Sequence, residues 1–143
     1  MNVEQILAAK GTTIVSIEPN AKLVDAAQLL HKNRIGAVVI AGAGGRLAGI
    51  LSERDIVRAV AEHGADALTT PVSQEMTRNV LTCVESDSVA DIMEKMTTGK
   101  FRHLPVLRDG KMVGLVSIGD VVKQRVGEIE RESEDMRDYI RSA

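Results

Sequence analysis

Serine and aspartate recur together at two places where a strand-like pattern gives way to a helix-like pattern. Residues 49–55 read GILSERD, and residues 114–120 read GLVSIGD. A helix start offers free backbone N–H groups to an anion, and a carboxylate one turn into the helix can accept hydrogen bonds from both hydroxyls of a ribose. These residue types at this spacing therefore indicate a nucleotide-binding site.

The same residues also have a purely structural interpretation. Ser52 and Ser117 are good N-caps, because a serine hydroxyl accepts a hydrogen bond from the first helical turn. Asp55 and Asp120, three residues later, favour the positive end of the helix dipole. A single motif leaves both interpretations open, and its identical placement in two copies favours the functional one.

The two motifs belong to an internal repeat. Their aspartates, Asp55 and Asp120, lie 65 positions apart in a chain of 143 residues. Each copy predicts the order strand, helix, strand, strand, helix, with a hairpin between the second and third strands. The predicted elements are 12–17, 23–31, 37–41, 47–51 and 53–63 in the first copy, and 80–84, 88–98, 103–107, 112–117 and a helix from 118 onward in the second.

The repeat divides the chain into an N-terminal helix (1–11), repeat 1 (12–64), a connector (65–78), repeat 2 (79–127) and a charged helical tail (128–143). This mixture of helices and strands predicts an α/β (α+β) fold. The tail carries both charge signs, and its large apolar residues beyond Arg131 are Met136, Tyr139 and Ile140. A solvated tail and a helix that docks on a partner both fit this pattern.

Composition argues against several classes of function. A net charge of −2 provides no basic footprint for nucleic acid, and one Phe, one Tyr and no Trp provide no stacking platform. The one cysteine, Cys83, cannot form an internal disulfide, and we expect no metal site. No apolar run approaches a membrane span of about 20 residues, and the N-terminus lacks a signal-peptide pattern, so we expect a cytoplasmic protein.

Catalysis would require a nucleophile with a base, a pair of acids or a metal set. The sequence presents none of these beyond the binding motif. We therefore expect no catalytic residue, no catalytic cofactor and no enzymatic activity.

The element order, with FRHLPV at 101–106 in one arm and GLVSIGD in the other, closely resembles the cystathionine β-synthase (CBS) domain. The pair of repeats, over residues 12 to about 126, resembles the stand-alone tandem, or Bateman module, of bacteria. The resemblance implies two βαββα repeats that pack through their sheets with pseudo-twofold symmetry. It also implies two clefts that bind adenosine nucleotides, for which we rank AMP and NAD(H) first and ATP behind them.

The resemblance assigns a role to each part of a cleft. The aspartate holds the ribose, the serine and the helix start lie near phosphate, and adenine lies against the first strand and the opposed repeat. The cleft of Asp120 would use Ser117, Ile118, Gly119, Arg102 and His103, with adenine near Ile14, Val15, Ile35, Gly36 and Ala37. The cleft of Asp55 would use Ser52, Glu53 and Arg54, with adenine near Val80, Leu81, Phe101 and His103.

Arg102 and His103 are the residues that could donate hydrogen bonds to phosphate in repeat 2. Taken alone they also fit a solvated arginine and an ordinary strand histidine. The equivalent positions of repeat 1 are Gly36 and Ala37, which provide no cation, although Arg54 can compensate. The two clefts are therefore expected to be unequal.

These observations together predict a regulatory adenine-nucleotide-binding module that forms a homodimer and acts on a protein target that the sequence does not identify. The main alternative is a structural homodimerisation module, in which the same motifs persist only as helix caps.

Overall fold

The computed structural model describes residues 1–142. These residues form two compact units, each with its own apolar core. The first unit is Thr13–Val80, and the second combines Met1–Thr12 with the chain from Leu81 onward. Each unit contains one copy of the repeat. Helices and two small sheets confirm the predicted α+β class.

The elements follow the predicted order closely. In chain order they are α1 (Val3–Lys10), β1 (Ser16–Ile17), α2 (Leu23–Asn33), β2 (Ala37–Ala41), β3 (Leu47–Ser52), α3 (Glu53–His63), α4 (Val72–Glu75), α5 (Val89–Gly99), β4 (His103–Arg108), β5 (Lys111–Ser117) and α6 (Ile118–Ser142), with short 3-10 turns at Ala43–Gly45 and Gly64–Thr69.

The first unit contains a three-stranded sheet in the order β1-β2-β3. β1 runs parallel to β2, with Ser16 opposite Val39, and β2 runs antiparallel to β3, with Ala37 opposite Ser52. The helices cover one face of this sheet with apolar side chains, because α2 and α3 are amphipathic. The core residues are Leu23, Ala26, Leu30, Val38, Ile40, Leu51, Ala59, Ala67, Val72 and Met76.

The second unit contains the hairpin β4-β5, with His103 opposite Ser117. Asp109 and Gly110 turn the chain with φ of 51° and 78°, the left-handed geometry that matches the twist of a two-residue hairpin. The core combines these strands with α1, α5 and α6. Its buried residues are Val3, Ile6, Leu7, Cys83, Val89, Ile92, Met96, Leu104, Val106, Val116 and Val121.

The predicted strand at 80–84 is wrong. Only Cys83 forms a bridge in this segment, parallel to Val106 on β4. Extending the ladder to Leu81 would require the N–H of residue 105 to donate to the Leu81 carbonyl, and residue 105 is a proline without an N–H. The predicted strand at 12–17 is likewise reduced to β1, Ser16–Ile17.

The first glycine of each motif lies directly beneath a covering segment. A Cβ on Gly114 would lie 2.6 Å from Leu7 Cδ2 of α1. A Cβ on Gly49 would lie 2.7 Å from the Thr77 carbonyl oxygen and 2.8 Å from Met76 Sδ. Close packing against the strand therefore explains both glycines, since any side chain at these positions would displace the covering segment.

Gly49→Ala is expected to destabilise the fold by about 1–3 kcal/mol, because its methyl group meets a backbone carbonyl. Gly114→Ala should cost less, since the leucine side chain that it meets can rotate. Adding Leu7→Ala should relieve much of the Gly114→Ala clash, whereas Met76→Ala should relieve little of the Gly49→Ala clash. Urea unfolding followed by circular dichroism measures these differences. Equal stability of Gly49→Ala and the parent chain would contradict this explanation.

Candidate functional site

Ser52 and Asp55 form a reciprocal capping box where β3 meets α3. The Asp55 N–H donates to Ser52 Oγ at 3.3 Å, and the Ser52 N–H donates to Asp55 Oδ2 at 2.9 Å. The same Oδ2 lies 3.1 Å from Ser52 Oγ, and Oδ1 accepts from Arg58 at 2.9 Å. Asp55 is only 6% exposed. Both oxygens of this carboxylate are therefore already bonded within the first unit.

Ser117 and Asp120 form the same box where β5 meets α6. The Asp120 N–H donates to Ser117 Oγ at 3.1 Å, and the Ser117 N–H donates to Asp120 Oδ2 at 2.9 Å. Lys10 of α1 supplies the cation: its Nζ lies 2.6 Å from the same Oδ2 and donates to the Leu115 carbonyl at 2.8 Å. The Lys10 bond and the Ser117 N–H bond both use Oδ2 of Asp120, which leaves Oδ1 as the oxygen for a ligand.

The pKa of Asp120 reflects burial opposed by these bonds. Burial raises the pKa of the carboxyl, but the Lys10 ammonium and the Ser117 groups outweigh burial and hold the pKa below its ordinary value. Asp120 is therefore ionised at neutral pH. The stabilisation that it contributes is present above the ordinary carboxyl pKa and is lost as pH falls through the lowered value.

The helix starts have fewer free N–H groups than the sequence suggests. The N–H of Glu53 donates to the Gly36 carbonyl at 3.0 Å, and the N–H of Ile118 donates to the Arg102 carbonyl at 2.8 Å. The serine and aspartate N–H groups are bonded within the capping boxes. Among the first-turn groups described, this leaves the N–H groups of Arg54 and Gly119 for an anion.

Space around these two remaining N–H groups differs between the copies. A Cβ on Gly119 would meet only Ser117 Oγ, at 3.6 Å, so the backbone there is open to close approach. At the equivalent position of the first unit, the side chain of Arg54 provides a cation instead. The helix starts thus differ in the side chain beside the free N–H, and the predicted inequality of the two clefts stays a prediction.

The second unit brings together the predicted phosphate residues of repeat 2. The carbonyl of Arg102 is bonded to the start of α6, and the Arg102 residue is exposed. His103 lies opposite Ser117 in the hairpin. Leu81 and Phe101, predicted near adenine in the other cleft, are partly buried against the core of this unit.

The first unit brings together the residues predicted near the adenine of the Asp120 cleft. The Val39 N–H donates to the Val15 carbonyl, and Ala37 lies opposite Ser52. A groove of about 850 Å³ is bordered by Ile35, Gly36 and Glu53. Ile14, Val15, Ile35 and Val80 are partly exposed, and Ala37 is buried. The assignment of these residues and the repeat 2 residues to common clefts stays a prediction.

The capping box of α5, formed by Ser88 and Asp91, shows the surroundings of an aspartate that serves only as a cap. Ser88 and Asp91 start α5 with the same reciprocal bonds, at 3.0 and 3.4 Å. Asp91 is exposed, and within residues 1–142 it forms no ion pair. Partial burial and a cationic partner therefore distinguish Asp55 and Asp120 from an ordinary cap.

Sequence reasoning missed the two cations. Arg58 lies three residues after Asp55 on one helix face, a spacing that could have indicated the pair. Lys10 lies 110 residues before Asp120, and no sequence pattern relates the two. Only the packing of α1 in the second unit reveals this contact.

Three further kinds of feature could indicate another function in the described residues: a reactive cysteine, a metal cluster and a membrane-spanning helix. Burial raises the pKa of the Cys83 thiol to about 11, which makes it a poor nucleophile. Residues 1–142 contain no cluster of three or more metal-ligand side chains. They also contain no helix that is long and apolar enough to span a bilayer.

Comparison with known proteins shows which family both copies of the repeat match. The CBS domain family matches residues 6–62 and 72–127. A CBS-domain protein structure from Agrobacterium tumefaciens is 45% identical, with a TM-score of 0.85, over 87% of this chain and 92% of that chain. The chain spans from 22% to 67% of the length of seven curated relatives that it matches.

Two related structures contain adenosine ligands. The CBS domain pair of protein MJ0100, in complex with 5′-methylthioadenosine and S-adenosyl-L-methionine, is 28% identical with a TM-score of 0.80, over 90% of this chain and 98% of that chain. A CBS domain protein from Pyrobaculum aerophilum, complexed with AMP, is 31% identical with a TM-score of 0.75, over 84% and 89%. With both repeats matched and the fold shared, the chain belongs to the CBS domain family and contains a tandem pair of CBS domains.

Proposed function

We propose that this chain is a cytoplasmic regulatory module that binds adenine nucleotides at Asp55 and Asp120 and has no catalytic activity of its own. The observation that carries the proposal is the pair of aspartates at equivalent strand-to-helix junctions, Asp55 buried and Asp120 partly buried, each with a cation beside it. AMP and NAD(H) lead the candidate ligands, with ATP behind because few cations are available for a triphosphate. The ligands of the related structures add S-adenosyl-L-methionine to this set.

Asp120 supports the proposal more strongly than Asp55 does. One of its oxygens is open, and the N–H of Gly119 lies beside it at an uncrowded helix start. Phosphate at that N–H would be stabilised by the positive end of α6 and by the exposed Arg102. His103, opposite Ser117, is the second predicted phosphate residue at this edge.

The alternative function is a structural homodimerisation module without a physiological ligand. The specific observation that favours it is the carboxylate of Asp55, whose two oxygens are both bonded within the unit. A cap needs nothing more than these bonds. Nucleotide binding by protein stripped of ligand separates the two functions.

Adenine nucleotides are expected to stabilise the stripped protein against heat, because a ligand that binds only the folded state stabilises it by mass action. At about 100 times the dissociation constant the gain is ~2.7 kcal/mol. Melting curves with AMP, NAD, ATP and S-adenosyl-L-methionine, and with guanosine monophosphate for comparison, measure it. A melting temperature that none of the adenine ligands raises would contradict nucleotide binding.

Asp120→Ala is expected to weaken AMP at least tenfold, because it removes an acceptor of charge-assisted bonds worth on the order of 1.5–3 kcal/mol each. Asp91→Ala is the matched control: it removes the carboxylate of a capping box outside the motif and should leave affinity unchanged. Arg102→Ala should weaken AMP while nearly sparing adenosine.

Asp55→Ala should affect a second, separable binding event. Calorimetry on these variants measures each effect. If Asp55→Ala and Asp120→Ala depress one isotherm equally, or if Asp91→Ala acts as Asp120→Ala does, the proposed division between the two sites is wrong.

The homodimer that we propose is supported by apolar residues that the monomer leaves exposed. On α3, Val57 is 69% exposed and Val60 is 37% exposed. Along α6, apolar residues recur at spacings of three, four or seven, on a face beside the one that packs in the unit. Val122, Val126, Ile129, Met136 and Ile140 are each 48–66% exposed.

Charges beside this α6 face favour a second copy as its partner. With Val126 at heptad position a, Arg125 and Glu132 occupy g positions, and Glu130 and Arg137 occupy e positions. In a parallel pair of α6 helices, each g residue faces the e residue five positions later on the other chain. Both such pairs join opposite charges.

Sedimentation at micromolar concentration is expected to give a species of twice 15.4 kDa. Val126→Lys should shift it toward monomer, because a charge would enter the apolar face, whereas Val84→Lys, at a 46% exposed valine away from α3 and α6, should not. Glu130→Arg should also weaken the dimer, and adding Arg125→Glu should restore it. A parent chain that sediments only at 15.4 kDa would be decisive against the homodimer.

A further inference from the structure

The ammonium group of Lys10 forms an ion pair with Asp120, the carboxylate to which the proposed function assigns the ribose of the ligand. We propose that Lys10 is a specificity-determining residue of the Asp120 site: a bound ribose displaces it from the carboxylate, and it then favours ligands that carry an anion. The inference rests on the proposed function and names a residue and a selectivity that the motif does not contain. The geometry of α1, β5 and α6 within the second unit supports this role.

Packing fixes the position of Lys10. Leu7, one turn earlier on the same face of α1, lies against Gly114 of β5. Gly11, with φ of 98°, ends the helix by donating its N–H to the Leu7 carbonyl at 2.8 Å. The Lys10 Nζ also donates to the Leu115 carbonyl. The side chain is therefore held beside the start of α6 and is 34% exposed.

The acceptor sites of Asp120 limit how a ribose can bind. Each carboxylate oxygen has two lone-pair sites. On Oδ2 they are taken by the Ser117 N–H at 2.9 Å and by Lys10 Nζ at 2.6 Å. A diol that donates to both oxygens needs one of these sites. The Ser117 N–H belongs to the helix cap, so Lys10 is the donor that leaves.

Displacement leaves a cation in an unfavourable place. The start of a helix carries partial positive charge, so an ammonium group there requires a negative partner. With the carboxylate engaged by hydroxyl groups, Lys10 keeps its hydrogen bond to the neutral Leu115 carbonyl. A phosphate on the ligand would supply the missing anion, whereas an uncharged nucleoside would not. Lys10 thus opposes adenosine and favours AMP.

Among the described residues of the first unit, no cation from a separate element contacts Asp55 as Lys10 contacts Asp120. The cation beside Asp55 is Arg58, which bonds to Oδ1 from the same helix and whose side chain is 53% exposed. Arg58 can move into solvent without loosening another element. The selectivity that we infer therefore belongs to the Asp120 site alone.

The test is calorimetric titration of stripped protein with adenosine and with AMP. In Lys10→Met we expect adenosine to bind about two- to fivefold tighter, because the competing ion pair is gone. We expect AMP to bind at least threefold weaker, because a charge-assisted contact is lost. The preference for AMP over adenosine at the Asp120 site should therefore fall about tenfold.

Three controls make the result specific. Lys123→Met removes an exposed lysine of α6 and should leave both affinities unchanged. Lys10→Arg keeps the charge and should keep most of the preference for AMP. A melting curve of each variant checks that the protein is folded before titration.

The outcomes separate this inference from the proposed function. If the parent chain binds both ligands and Lys10→Met scales both affinities equally, Lys10 has only a structural role and the inference is overturned, while nucleotide binding stands. If the folded parent chain binds neither ligand, nucleotide binding fails and the inference fails with it. A preference that falls equally in Lys123→Met would overturn it as well.

Discussion

The hydrogen bond from the serine N–H to the motif aspartate is the contact on which each repeat depends. It joins the last residue of a strand to the first turn of a helix, at Ser52 and Asp55 and again at Ser117 and Asp120. The same serine lies opposite a residue of the neighbouring strand, so sheet, junction and helix are fixed together. The carboxylate is thereby held in a defined position before any ligand arrives, which reduces the entropic cost of binding.

This arrangement gives one carboxylate two uses that compete for its lone pairs. A capping aspartate whose two oxygens are both bonded, as at Asp55, stabilises the helix and must exchange one of these bonds to accept a hydrogen bond from a ligand. Asp120 keeps Oδ1 for a ligand, and its cationic partner, Lys10, lies on a different element, α1. Two repeats with the same motif can thus differ in function, because the difference lies in what surrounds the motif.

Most of the fold could be predicted from the sequence, because hairpins and amphipathic helices leave local periodic patterns. The strand expected at 80–84 could not, since its pairing depends on an N–H in the neighbouring strand β4, at the position where Pro105 has none. The residues of the motif were predictable for the same local reason. Lys10 was not, because its place beside Asp120 comes from packing between elements far apart in the chain.

The most direct test is a crystal structure of the purified protein with AMP. We expect the two ribose hydroxyls within hydrogen-bond distance of the Asp120 carboxylate, with the ammonium of Lys10 displaced toward the phosphate. A structure in which AMP is bound elsewhere, while Lys10 and Ser117 retain their bonds to Asp120, would contradict a ribose-binding role for this carboxylate.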